Sequence, residues 1–110
     1  MISEQIRQRF LRDPLPIRLG GLAADLARIA SFVEDPRDQA AVAGLLEEGK
    51  YFAEWTAPET PLETQVVLAE IQLALAMWQR QWAHGPHVPG MREEATRQSD
   101  ALLALSGLSG

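Results

Sequence analysis

The stretch Thr60–Ala83, TPLETQVVLAEIQLALAMWQRQWA, decides the fold. Thr60-Pro61-Leu62-Glu63 has the pattern of a capping box, with Thr at the cap, Pro at the first helical position and Glu three residues after the cap. About six helical turns follow. At 100° per residue, Val67, Leu68, Ile71, Ala74, Leu75, Trp78 and Trp82 form one broad apolar stripe. Leu62, Val66, Ala69, Leu73, Ala76 and Met77 form a second, roughly opposite. Glu63, Glu70 and Gln81 part the two stripes on one side, and Gln65, Gln72 and Gln79 on the other. A helix apolar on both sides is buried between neighbours or shared with another chain.

The chain before it reads as three helices. Ser3 caps a short one over residues 3–12, with Ile2, Ile6 and Phe10 on one side, and Asp13-Pro14-Leu15-Pro16 breaks it. A second runs over 17–33, where Leu19, Leu22, Leu26, Ile29 and Val33 step by 3, 4, 3, 4 as in a packed bundle. Gly20, Ala24, Ala27 and Ser31 form a line of small residues that admits another backbone closely. Gly20-Gly21 leaves two readings open: the helix starts near Gly21, or close packing offsets about 1 kcal/mol per glycine. Asp35-Pro36 starts a third helix that extends to Thr56. Ala41, Val42, Leu45, Leu46, Gly49, Phe52 and Ala53 share its apolar face, opposite Glu47, Lys50 and Glu54.

After the central helix, Gly85–Gly90 (GPHVPG) is a stop, and a last helix covers 91–105. Met91, Ala95, Leu102 and Leu105 line it, with Gln98 interrupting, and residues 106–110 read as a frayed tail. The expected architecture is one all-α domain over 1–110. It is an antiparallel bundle of four main helices plus a short N-terminal helix, with 1–16 as that helix and its proline-rich break. Its expected core is Leu22, Leu26, Ile29, Val33, Leu45, Phe52, Leu68, Ile71, Leu75 and Trp78.

At 110 residues the chain can bury roughly 65% of its unfolded surface. It contains no Cys, which excludes disulfides, thiolate-held metals and thiol catalysis. The net charge of −5 is uneven: residues 1–30 carry +2 and residues 31–110 carry −7. An acidic body is a poor match for phosphate backbones, so no nucleic acid is expected as partner. No uncharged run is long enough to span a membrane, and Met-Ile-Ser-Glu carries no apolar leader. The expected location is the cytoplasm.

No motif for catalysis, metal or cofactor emerges. His84 and His87 are the only histidines, and two imidazoles are too few for a closed metal site. No Glu-x-x-His pair exists for a carboxylate-bridged metal bundle, and Gly20-Gly21 lacks the lysine and preceding strand of a phosphate loop. No catalytic residue, metal ligand or cofactor is therefore assigned. Among the aromatic residues Tyr51, Phe52, Trp55, Trp78 and Trp82, Trp55 lies far from Trp82 if their helices are antiparallel, so they need not form one pocket, and core and rim packing is the expectation.

Together, IRQRFLRDPLPIRLGGLAADLARI and EWTAPETPLETQVVLAEIQLALAMWQRQW resemble a group of small, uncharacterised helical proteins of cyanobacteria. The resemblance implies a soluble bacterial protein and attaches no activity.

The functional expectation is a non-enzymatic protein–protein interaction module. It would pair as a homodimer through Leu62, Val66, Leu73 and Met77, or use that face for another protein. The alternative within one chain is that the first and last helices cover this stripe. A second class of function is a bundle that carries or senses a flat or hydrophobic ligand. A third, a small enzyme, would need an inward cluster of carboxylates or histidines that the periodicity does not display.

Overall fold

A computed structural model describes residues 3–107. Five α-helices follow one another: α1 (Glu4–Arg12), α2 (Leu15–Phe32), α3 (Gln39–Thr56), α4 (Leu62–His84) and α5 (Met91–Ser106). No strand occurs among the described residues. The fold is an all-α helical bundle.

Ser3 caps α1 as its sequence predicts, its hydroxyl accepting from the Ile6 amide at 3.2 Å. The helix α2 begins at Leu15, two residues before the expected start. Pro14 sits at the extended cap position and Pro16 in the first turn, where a missing N–H costs nothing. The helix continues through Gly20 and Gly21. A methyl group at Gly21 would meet no atom within 4 Å, so local packing does not explain that glycine. Burial of Leu19, Leu22, Leu26 and Ile29 holds the helix instead.

Asp35 caps a 3₁₀ turn, Pro36–Asp38, that leads into α3; its Oδ1 accepts from the Arg37 amide at 2.9 Å. The capping box expected at Thr60 does not form. The Thr60 hydroxyl donates back to the Ala57 carbonyl at 2.7 Å, closing a second 3₁₀ turn, Ala57–Glu59. Pro61 takes the cap position of α4 and offers no side-chain acceptor. Its carbonyl takes the Thr64 and Gln65 amides at 3.0 and 2.9 Å.

The helices alternate up and down. Trp82 Nε1 of α4 donates to the Gln39 carbonyl at the start of α3. Arg92 at the start of α5 pairs with Glu34 just past the end of α2, while Ser99 donates to the Ala23 carbonyl at 2.8 Å, further back along α2. Laterally the order is α4, α3, α2, α5, and α4 and α5 meet little. Ser99 of α5 reaches the backbone of α2 at Ala23, while Ala24, Ala27 and Ser31 of the small-residue line stay exposed.

Leu22, Leu26, Ile29, Leu68, Ile71, Leu75 and Trp78 are buried as expected. Val33, Leu45 and Phe52 are half-buried at the margin, Ala41 is exposed, and α5 adds Met91, Ala95 and Leu102. Leu105 is more exposed than its line predicts, whereas Ser106, assigned to the tail, is buried inside α5. Residues 108–110 of that expected tail, and Ile2 of the first helix's apolar line, lie outside the described residues. The helix α1 packs on its own chain: Phe10 stacks on Phe52 of α3, ring centroids 4.0 Å apart, and Arg7 lies over Trp55.

Candidate interaction surface and a buried carboxyl group

The helix α4 carries two seven-residue patterns offset by two positions. The inner row is Thr64, Leu68, Ile71, Leu75, Trp78 and Trp82, stepping 4, 3, 4, 3, 4, and each member is buried. This spacing keeps a row facing one neighbour along a whole helix. The outer row, on the opposite side, is open. Leu62 is 75% exposed, Leu73 64%, and Val66 and Met77 52% each. Ala69 and Ala76, between them, are also exposed. Neither α1 nor α5 covers this face.

The polar edges of the open face are only partly engaged. Gln65 Nε2 donates to the Thr60 carbonyl at 3.0 Å, and Gln79 Oε1 accepts from Lys50 Nζ at 2.6 Å. Gln72 is half-buried, and Glu63 and Glu70 are exposed. At the C-terminal end the face runs into a shallow depression lined by Met77, Arg80, Gln81 and His84. His84 Nδ1 lies 3.0 Å from the Arg80 carbonyl, and His87 is exposed in the following loop.

Comparison with family models, curated proteins and solved structures finds no match. The chemistry of the surface therefore rests on its own residues.

A second feature lies inside the bundle. Asp25 of α2 is 1% exposed. Its Oδ1 accepts from Arg28 Nη2 at 2.7 Å, and its Oδ2 has no donor from an N–H or hydroxyl group. The carboxyl group of Glu48, on α3, lies within hydrogen-bonding reach. Burial first, and then Glu48, push the Asp25 carboxyl up to about 8, against the smaller opposing pull of Arg28. Burial and the neighbouring carboxyl group thus both favour the protonated form of Asp25. Arg28 and Glu48 also line an open groove with Phe32, Ala41, Gly44 and Leu45.

The sequence holds a signal for Asp25 that composition hides. It follows Leu22 by three and precedes Ile29 by four, which is the spacing of the buried seam itself. A carboxyl group there must be neutralised or paired. Its partner, Glu48, belongs to another helix and is not visible from spacing along α2. Arg18 is a second buried charge. Its guanidinium grips both oxygens of Glu59 at 2.7 and 2.9 Å and the Asp13 carbonyl at 3.0 Å. This hydrogen-bonded pairing holds the Glu59 carboxyl below its ordinary range. It also ties the turn before α4 to the start of α2.

Among the described residues, no group of three or more His, Asp or Glu could hold a metal ion. Nor is any helix among the described residues long and apolar enough to cross a membrane.

Proposed function

We propose that this chain is a non-enzymatic helical interaction module that pairs with a second copy of itself through the outer row of α4. The observation that supports the reading is the exposure of Leu62, Val66, Leu73 and Met77 along one face of the longest helix, whose other face is closed. Covering such side chains gains about 25 cal/mol per Å² of apolar surface. One helix face per chain falls at the low end of specific interfaces, below about 1,200 Å² in total. An interface of that size suits a dimer that assembles and dissociates with concentration. The acidic body makes a protein surface a better partner than a phosphate backbone. The lack of Cys is compatible with a cytoplasmic setting.

Size exclusion with light scattering, run from about 1 to several hundred micromolar, tests this. The expected result is a mass rising from monomer to dimer across that range. Leu73→Glu should hold the chain at the monomer mass while its helical circular dichroism is unchanged. A wild-type chain that stays monomeric at the highest concentration overturns the proposal.

A further inference from the structure

We infer that the two copies of α4 pair antiparallel, about a two-fold axis passing between Ala69 and Leu73. This rests on the self-association proposed above and adds its geometry. The exposed row Leu62, Val66, Ala69, Leu73, Ala76, Arg80 steps 4, 3, 4, 3, 4, so it forms successive layers against a facing helix. From Val66 onward large and small members alternate within it. In a parallel pair each layer meets its own kind. Ala69 would face the partner's Ala69 and Ala76 the partner's Ala76, leaving gaps, while Leu73 would face the partner's Leu73. Arg80 would also meet the partner's Arg80, a like-charge contact.

Reversing one helix removes these conflicts together. Val66 then faces the partner's Ala76, and Ala69 faces the partner's Leu73. Every central layer holds one large and one small side chain, which lets the axes approach to about 8 Å. Leu62 lies along the stem of the partner's Arg80, whose guanidinium reaches Glu63. Acidic start and basic end are thereby matched at both ends of the pair. On one edge Gln65 meets the partner's Gln79 and Gln72 meets the partner's Gln72. Primary amides both donate and accept, so such pairs are self-complementary. The unfavourable pair is Glu70 with the partner's Glu70 on the other edge, where both side chains are exposed and water screens them.

Because the chain has no Cys, introduced cysteines report the geometry directly. A disulfide needs Cα atoms about 4.4–6.8 Å apart. In the antiparallel pair, position 66 lies about 15 Å from its own copy, ten residues along the helix, but faces position 76 of the other chain. The experiment oxidises Val66→Cys alone, Ala76→Cys alone and an equimolar mixture, with light scattering on the reduced samples. The expected result is at least a tenfold excess of disulfide dimer in the mixture over either variant alone. Efficient cross-linking of Val66→Cys or Ala76→Cys alone indicates a parallel pair and overturns this inference while leaving self-association intact. A dimer by light scattering with no cross-link in any sample places the contact elsewhere and overturns both the geometry and the surface. Monomers throughout overturn self-association itself.

Discussion

The carboxyl groups of Asp25 and Glu48 meet between α2 and α3, with Asp25 1% exposed and Arg28 holding its other oxygen at 2.7 Å. Burial, and then the like charge of a second carboxyl group, disfavour ionisation of Asp25 in the folded chain. In the unfolded chain Asp25 returns to its ordinary value of 3.8, against about 8 when folded. Between these values the folded state binds the extra proton, so stability falls as pH rises. The contribution is complete below about pH 4 and is lost through about pH 8. A single proton sets a slope of at most about 1.4 kcal/mol per pH unit. Urea denaturation at pH 5, 7 and 9 should show this decline. Asp25→Asn, whose amide can accept from Arg28 and donate to Glu48, should flatten it and be the more stable protein at pH 9.

The acidic side has the opposite sign. Glu59 and Glu94 are held below their ordinary values by hydrogen bonds from Arg18 and Arg97, respectively. Their contributions are present above the unfolded carboxyl range and disappear as pH falls through the lowered folded values. Thermal melts should therefore place the stability maximum on the acidic side of neutrality, near pH 4 to 5.

Two glycines should respond in opposite directions to the same substitution. At Gly49 of α3, an added methyl carbon would lie 3.1 Å from Leu75 Cδ1 and 3.6 Å from Leu22 Cδ1, both in the fully packed core. At Gly21 it would meet nothing. Alanine gains about 1 kcal/mol of helix propensity at either position. Overpacking costs about 1–3 kcal/mol. Gly21→Ala should raise stability by about 1 kcal/mol, whereas Gly49→Ala should lower it by up to about 2 kcal/mol, measured by chemical denaturation.

On α4, neighbouring leucines should separate folding from association. Leu75 is fully buried and Leu73 is 64% exposed. Leu75→Ala should cost about 2–5 kcal/mol. Leu73→Gln should stay within about 0.5 kcal/mol of the parent when measured on the dilute monomer. It should nevertheless weaken association measured by analytical ultracentrifugation at high concentration.

The helix α1 is held chiefly through Phe10, which stacks on Phe52 and approaches Trp55. Phe10→Ala should cost about 3 kcal/mol, at the lower end for a buried aromatic residue, because α1 can detach and leave no cavity. Hydrogen exchange should then show loss of protection in residues 4–12 while the α3–α4 seam stays protected.

How far the sequence reaches depends on whether a contact is local. The apolar rows of α2, α3 and α4 follow from 3.6-residue periodicity, and Ser3 caps its own helix three residues away. Thr60 shows where a local pattern misleads. Thr-x-x-Glu fits a capping box, but the same hydroxyl can donate to the carbonyl three residues behind it, and here that alternative closes a turn. The two stripes of α4 are legible on a helical wheel; which one the bundle covers is not, because it depends on α5 lying beside α2 rather than α4. Asp25 and Glu48 are separated by a helix end, a turn and part of a second helix. Only tertiary packing brings the two carboxyl groups together.

The inner and outer rows of α4 are read from one helix and share one phase. Inserting or deleting a single residue near Gln72 would rotate everything beyond it by about 100°. Both rows would fall out of register together: the core would lose Leu75, Trp78 and Trp82 at the same stroke as the surface lost Leu73 and Met77. Removing seven residues would spare both phases. A change of length that keeps Leu75, Trp78 and Trp82 in the core therefore also keeps Leu73 and Met77 on the open face.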